Sequence, residues 1–271
     1  MNLVFNGTIE LLSPLAHNSD ESLGTDTKYR RIGIIYDGKV IRVPVYSGNA
    51  FRGKLRRVAA KQFFDLLEFG KESMSDVLYY TCFTGGALKK GSSQDYIEIG
   101  TKRELREKMP FLSLFGTALQ NQIPEGKLKI GIGVPISKET AHMTGIESTL
   151  SIWEMLDEIF YTRRDDLEDK EDGKPEEAHQ MKYSIEVLIP GVVLKHKMSA
   201  SNLTEVETAC FGYMMQEFMM QSSLGGKSGT GHGNICFSYT PEFPDSKPYL
   251  DYIAENKSII TEYIQGIERK L

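Results

Sequence analysis

The stretch from residue 43 to residue 57 combines a turn of small polar residues with a cluster of arginines. Ser47 and Asn49 stand where a helix would begin, and either side chain can accept a hydrogen bond from a free amide of its first turn. A helix N-terminus and guanidinium groups both bind phosphate well, so this pattern is typical of a phosphate-backbone site. A solvated basic helix face is the alternative interpretation. The arginines that follow the turn, opposite the apolar face, are Arg52, Arg56 and Arg57.

A second candidate for anion binding is the segment from residue 225 to residue 233, which contains five glycines. The segment begins with Gly225 and Gly226. Because glycine has no side chain, such a backbone can approach a ligand closely and offer free amides to an anion. The pattern is not a nucleotide-binding P-loop, because that motif requires a glycine where Gln221 stands and runs from strand to helix. A tight structural turn remains the alternative. Three side chains of this segment add possible contacts: Lys227, Ser228 and His232.

Residues suited to catalysis or metal binding are few. Asp20 and Asp26 share one polar segment, and two carboxylates beside a bound phosphate can position a metal-bound water. A solvated loop explains the same residues without chemistry. The five histidines and three cysteines show no ligand spacing, so we expect no metal and no cofactor. His196 lies between two lysines and is predicted to occupy a solvent-exposed strand face.

The distribution of charge says more about partners than its sum. The net charge is −5, yet the segment 27–61 holds ten Lys or Arg residues and a single Asp. The segment 165–177 holds eight acidic residues and two lysines, so a basic and an acidic region cancel in the total. An acidic average therefore does not exclude a nucleic-acid partner. No apolar run has the length of a membrane span, and we expect no membrane partner.

The elements around these residues predict an α+β domain with an antiparallel sheet. Asp37-Gly38 between two apolar runs is a hairpin signal, and it immediately precedes the basic helix. We expect residues 13–31 to form a polar loop, Pro110 to end a helix, and two short helices to close the chain. The main predicted strands are 3–12, 32–36, 40–45, 127–135, 183–194 and 235–239, and the main helices are 48–68, 74–82, 101–108 and 203–221.

The two phosphate-suited segments together resemble those of the backbone RAMP (repeat-associated mysterious protein) subunits of CRISPR effector complexes. Residues 47–56 match the turn and basic helix of that family, and residues 224–233 match its glycine-rich loop before the last strand. With the run 112–116 added, the chain is most similar to the type IV backbone subunits. Ser47 replaces the family's proline, and Thr230 stands where its loop usually carries an arginine.

This resemblance implies one elaborated domain, 1–271, with an RRM-like (ferredoxin-like) antiparallel core. It implies a helical insertion at about 71–126 and a protruding thumb hairpin at about 137–182, whose tip (about 165–180) we expect to be mobile. Arg163 and Arg164 lie where related thumbs carry basic residues. Such subunits bind guide RNA, stack head to tail into a helical filament with other effector subunits, and meet target nucleic acid through the guide.

Three functional hypotheses follow. The first is a non-catalytic, cytoplasmic, RNA-binding filament subunit, in which the basic helix and the glycine-rich loop hold guide phosphates. The second is a metal-dependent endoribonuclease that cleaves target RNA through Asp26, as the resemblance to type III relatives implies, possibly with Asp20. The third is a protein without nucleic acid whose basic face docks an acidic partner.

Overall fold

The computed structural model describes residues 1–23, 26–86, 98–118, 122–163 and 181–268. In these ranges the chain forms twelve β-strands and seven α-helices. The strands are β1 (Leu3–Leu11), β2 (Leu15–Ala16), β3 (Asn18–Leu23), β4 (Asp26–Tyr29), β5 (Arg31–Tyr36), β6 (Lys39–Pro44), β7 (Leu128–Ile130), β8 (Val134–Pro135), β9 (Leu156–Arg163), β10 (Met181–Leu188), β11 (Val193–Ala200) and β12 (Ile235–Thr240). The helices are α1 (Gly48–Leu66), α2 (Asp76–Tyr79), α3 (Ile99–Lys108), α4 (Pro110–Phe115), α5 (Ala141–Thr144), α6 (Glu205–Gln221) and α7 (Lys247–Glu268).

The central sheet has five strands: β12-β1-β11-β7 in that order, with the short β8 also paired to β11, and every pairing is antiparallel. Taken with helices α1 and α6, the four strands of this order follow the chain order β-α-β-β-α-β. That order is the one expected of a ferredoxin-like core. The predicted α+β class with an antiparallel sheet is confirmed.

Helices α1 and α6 both pack on one face of this sheet. Alternate residues of β1 are buried, as a strand with one covered face requires. The Phe51 ring of α1 lies 4.9 Å from the His196 ring of β11. The Phe218 ring of α6 stacks at 5.6 Å on Phe237 of β12. The sheet therefore fixes the start of α1, and with it the predicted phosphate site, relative to β11.

A second sheet replaces the polar loop predicted for residues 13–31, and that prediction was wrong. The segment forms β2, β3 and β4, which join β9 and β10 in a five-stranded sheet. Ala16 pairs with Val187, and Asp26 pairs with Ser184. Their partner strand, β10, lies far along the chain, so no local pattern of apolar residues predicts these short strands.

The hairpin of β9 and β10 occupies the region predicted as the thumb. Its strands pair without a register shift, from Leu156 with Leu188 through Tyr161 with Tyr183 to the end of β9. Residues 137–155, which precede it, pack against the main core through Ile152. The predicted mobile tip at 165–180 lies outside the described residues, and the division of the chain at 137–182 and 71–126 stays a prediction.

One helix boundary is as the sequence predicts, and another differs. The helix predicted before Pro110 ends at Lys108 as expected, and Pro110 itself occupies the first turn of α4, where its missing amide costs no intrahelical hydrogen bond. The two short helices predicted at the end of the chain are one continuous helix, α7. No helix among the described residues is long and apolar enough to cross a membrane.

His196 was predicted on a solvent-exposed face, and this prediction was wrong because the strand register turns it inward. It is 1% exposed and lies opposite Gly7 of β1. Its Nε2 is 3.1 Å from the Gly131 carbonyl and its Nδ1 is 2.6 Å from the Tyr239 hydroxyl. A side chain at Gly7 would overlap the Tyr239 ring. Burial lowers the pKa of His196 to about 4, so the ring is neutral at pH 7.

We expect His196 to make the fold acid-sensitive. Its pKa is depressed in the folded state, so its stabilisation is complete above the unfolded pKa of about 6.5 and is lost as pH falls towards 4. The loss is about 1.4 kcal/mol per pH unit, or about 3 kcal/mol in all. In urea unfolding, the stability gap between the native protein and His196→Gln should narrow by this amount from pH 7 to pH 4. The exposed His142→Gln variant serves as the control, and a gap for His196→Gln that stays constant with pH contradicts the assignment.

Candidate nucleic-acid interface

The basic helix and the glycine-rich loop meet at one cavity of about 610 Å³. We call it the basic trough. Its walls come from the first turns of α1, the end of β2 and the start of β3, and the loop after α6. Seven of the residues predicted from sequence line it: Asn49, Arg52, Arg56, Arg57, Gly225, Gly226 and Lys227.

Direct contacts hold the two segments together across the trough. The Gly225 amide donates to the Tyr46 hydroxyl at 3.1 Å, just before the first turn of α1. Gly226 forms a β-bridge with Ala16. Gly225 has φ +73°, and a Cβ there would overlap the carbonyl of Ala16. This position therefore requires glycine for close approach as well as for its backbone angle.

The start of α1 is capped as the sequence predicts. Ser47 is the N-cap, and its hydroxyl accepts a hydrogen bond from the Ala50 amide at 3.4 Å. The Ser47 amide donates to Nε2 of His17 at 3.1 Å, so the turn is also tied to the segment after β2. Asn49 does not cap the helix, and its exposed side chain lines the trough instead.

Arg52 and Arg56 are already bound to backbone carbonyls. Arg52 donates to the carbonyls of Leu128 and Phe115, each at 2.5 Å. Arg56 donates through Nη2 to the carbonyls of Phe115 (3.0 Å) and Gly116 (2.8 Å). The last carbonyls of a helix lack intrahelical donors, so the two guanidinium groups complete the C-terminal end of α4. Both arginines thus have a structural role that the sequence did not indicate.

The positive charge of this pair is not balanced by a carboxylate. None of the ion pairs between described residues includes Arg52 or Arg56. Burial, and then repulsion from the neighbouring Arg52, lowers the pKa of Arg56 to about 10, so the group stays charged at neutral pH. Arg56 is 7% exposed, and its buried Nη1 has no hydrogen-bond partner among the described residues. The wall of the trough therefore holds a charged donor that suits an anion.

Arg57 and Lys54 are the more accessible cations of the trough. Arg57 is exposed and points away from the apolar face of α1. Lys54 lies 3.4 Å from the Ser223 hydroxyl, which ties α1 to the end of α6. Partial burial, and then repulsion from Arg57, lowers the pKa of Lys54. Lys54 was not among the site residues predicted from sequence.

The glycine-rich loop offers fewer free amides than its composition suggests. Six of its nine residues donate their amides within the protein, so fewer N–H groups are left for an anion than the five glycines suggest. The loop needs these bonds because it has to hold several left-handed residues, including Lys227 (φ +58°). Ser228 begins a single exposed 3₁₀ turn. The committed amides belong to Gly225, Gly226, Thr230, Gly231, His232 and Gly233.

Lys227 connects this loop to the β9–β10 hairpin. Its ammonium group lies 4.2 Å from the centre of the Tyr161 ring and 4.8 Å from that of Tyr183. It also donates to the Tyr183 hydroxyl at 3.1 Å. His232 is buried, and its Nε2 is 2.5 Å from the Tyr161 hydroxyl. His232 does not line the trough but fixes the loop on the hairpin.

Asp26 does not line the trough. It lies in the second sheet, where its Oδ1 accepts a hydrogen bond from the Ser184 hydroxyl at 2.8 Å. Arg163 is the last residue of β9, but its side chain lies outside the described part of the chain, as do Arg164 and the side chain of Asp20. Across the described ranges, no group of three or more His, Cys, Asp or Glu residues could hold a metal ion.

A comparison with solved structures shows the fold of this chain. It superposes on a chain of a solved structure described as a Type IV-B CRISPR complex, with a TM-score of 0.63 and 24% sequence identity. The match covers 88% of this chain and 91% of the other. The two chains share one fold. No family model matches the sequence, and no curated protein matches it.

Sequence reasoning missed several residues that line the trough. The His17 and Tyr46 rings contact each other in a tilted arrangement, with 4.7 Å between ring centres and 50° between planes, next to the capped turn. Phe83 and Thr84 reach the trough from the helical segment after α2. No local pattern marks these four residues, since three separate segments bring them together. Lys54 alone was detectable, because it lies within the arginine cluster.

We expect the adjacent residues Arg56 and Arg57 to differ sharply in their effect on stability. Arg56→Ala leaves the carbonyl of Gly116 without its charged donor and that of Phe115 with Arg52 alone, which should lower the free energy of unfolding by about 2–4 kcal/mol. Arg57→Ala removes an exposed side chain and should change it by less than about 0.5 kcal/mol. Urea unfolding at pH 7 measures both values. Equal effects would show that the Arg56 contacts do not support the fold.

Proposed function

We propose that this protein is a non-catalytic, RNA-binding subunit of a CRISPR effector complex. The observation that carries the proposal is the convergence of the basic helix and the glycine-rich loop in the basic trough. These are the two segments on which the sequence resemblance rests, although they lie about 170 residues apart. The shared fold with a chain of the Type IV-B CRISPR complex supports the same assignment.

The trough is suited to phosphates rather than to bases. Its cations come from α1 and from Lys227, and guanidinium and ammonium groups bind phosphate oxygens without distinguishing the base. Arg56 adds its buried positive charge to this wall, and its Nη1 has no hydrogen-bond partner among the described residues. A guide RNA bound in this way is held along its backbone, and its bases stay available for pairing with a target.

Assembly along the guide is the second part of the proposal. We infer that copies of the subunit stack head to tail with other effector subunits in the cytoplasm. Such contacts join different surfaces of neighbouring copies and form an open filament, whose length is then set by the RNA. The thumb residues Arg163 and Arg164 would contact the same strand from the hairpin side.

Catalysis through Asp26 is the competing function, and the position of this residue favours scaffolding. Its carboxylate is absent from the lining of the trough and is bound to Ser184. The Ser184 hydroxyl is also 2.7 Å from Glu158, so one hydroxyl bridges two carboxylates. The second sheet lines the trough through the end of β2 and the start of β3, whereas Asp26 belongs to β4, and this placement supports a scaffold rather than an enzyme.

We expect Lys54→Ala and Arg57→Ala together to weaken RNA binding equally for unrelated sequences. Each lost phosphate contact on a single strand reduces the slope of log K against log salt by about 0.7, so the double variant should lose about 1.4. Fluorescence anisotropy with two RNAs of different sequence, measured at several salt concentrations, tests this. These two residues are preferred because Arg52 and Arg56 also hold α4.

The matched control is Lys61→Ala, which removes an exposed charge from the same helix outside the trough. It should leave affinity and salt slope close to the native values. Assembly is checked separately: the mass of the complex that the native protein forms with RNA should grow in steps as the RNA is lengthened. A double variant with native affinity and slope would refute phosphate binding in the trough.

A target-cleavage assay separates scaffold from ribonuclease. Protein assembled with guide RNA, Mg²⁺ and complementary target RNA should leave the target intact, and Asp26→Ala should behave like the native protein. Regularly spaced cuts that disappear in Asp26→Ala would establish the enzyme instead. Non-complementary RNA controls for contaminating nucleases, because contaminants would degrade both strands alike.

A further inference from the structure

A column of aromatic rings stands at the rim of the basic trough. Phe64 of α1 stacks on Phe83 with 6.0 Å between ring centres and 15° between planes. Phe83 stacks in turn on Tyr79, at 4.9 Å and 16°. The three rings are therefore nearly parallel, with Phe83 in the middle. Phe83 itself lines the trough, so the column adjoins the proposed path of the phosphates.

The outer end of the column is open to solvent. Phe64 is buried at the inner end, whereas Tyr79 is 43% exposed at the outer end. The next residue, Tyr80, is 52% exposed and lies edge-on to Tyr79, at 5.9 Å and 77°. A stack that ends in an exposed ring, with a second ring beside it at a right angle, forms a shelf for one more planar group.

The backbone holds this shelf in place. Ser75 caps α2 by accepting from the Leu78 amide at 3.2 Å, which sets the first turn. The segment Tyr80–Thr84 continues as a π-helical turn, a wider geometry that recurs at functional sites. Thr81 and Cys82 of this turn are buried. The turn is thus anchored from inside, while Tyr79 and Tyr80 remain on the surface.

We propose that Tyr79, with Tyr80 beside it, is a stacking site for a nucleobase of a single strand bound in the trough. This inference rests on the proposed function and adds a base contact to its phosphate contacts. Proteins that hold single strands combine a basic groove with exposed aromatic rings, because every base has a flat face that stacks. Stacking of this kind tolerates any sequence, as a guide-binding subunit requires.

We expect Tyr79→Ala to weaken binding of single-stranded RNA by about 5- to 100-fold, the range typical of one stacked base. Tyr79→Phe should bind like the native protein, because it keeps the ring, and Tyr79→Leu should resemble Tyr79→Ala. The salt slope should not change in any of the three, because no charge is altered. Anisotropy titrations with RNA-free protein measure both quantities.

An RNA with abasic positions tests the base contact directly. The native protein should bind it more weakly than the intact RNA, whereas Tyr79→Ala should bind the two alike. Urea unfolding checks that each variant is folded, and Tyr79→Leu keeps the result interpretable if Tyr79→Ala unfolds. Native affinity in both Tyr79→Ala and Tyr79→Leu would overturn the stacking site.

The two proposals fail in different ways. If the Lys54 and Arg57 variants lose affinity and salt slope while Tyr79→Leu does not, the phosphate trough stands and the stacking site is wrong. If the Lys54 and Arg57 variants bind like the native protein, the proposed function itself is wrong. Loss of binding in Tyr79→Phe would also overturn the stacking site, because the aromatic face is retained there.

Discussion

The trough depends on one set of hydrogen bonds, which two arginines donate to backbone carbonyls at and near the end of α4. Arg52 and Arg56 leave α1 on its polar side and reach carbonyls of Phe115, Gly116 and Leu128. These bonds fasten the end of α4 to α1, and no ion pair between described residues includes either arginine. Carboxylate partners would have held α4 equally well but would have cancelled the charge. Backbone carbonyls satisfy the donors and leave the wall of the trough positive, so one arrangement serves both the fold and the proposed binding of an anion.

The parts of the fold that follow from sequence are those fixed by neighbours in the chain. Asp37-Gly38 forms the expected hairpin turn, with φ of +48° and +71°, and Ser47 caps α1 through its own first turn. The second sheet could not be predicted, because its short strands depend on β10, which lies far along the chain. Ser184 of β10, for example, is 158 residues from its hydrogen-bonded partner Asp26. His196 was misplaced for a similar reason, since lysines on both sides suggest a wet strand, but the register with Gly7 turns the ring inward.

The two segments proposed from sequence converge in the structure, but the sequence does not show how their hydrogen-bond donors are used. The sequence identifies an arginine segment and a glycine segment by residue type, and the structure brings both to one cavity. The sequence cannot show which hydrogen-bond donors are already used within the protein. Arg56 is largely committed to carbonyls, and the amide of Gly226 donates to Ala16. Sequence composition counts donors, whereas binding depends on those that folding leaves free, and only the assembled backbone decides which those are. For that reason, substitution of Lys54 and Arg57 tests phosphate binding most directly.

The net charge of −5 does not oppose this assignment, because charge acts locally in salt solution. Surface charges separated by more than about 8 Å are largely screened at physiological ionic strength. A strand in the trough would therefore sense Arg56, Arg57 and Lys54 far more than distant acidic residues. A phosphate beside the buried guanidinium would also offset repulsion that the free protein has to tolerate between Arg52 and Arg56. A ligand that binds only the folded state stabilises it, so filling the trough would reinforce the contacts that build it.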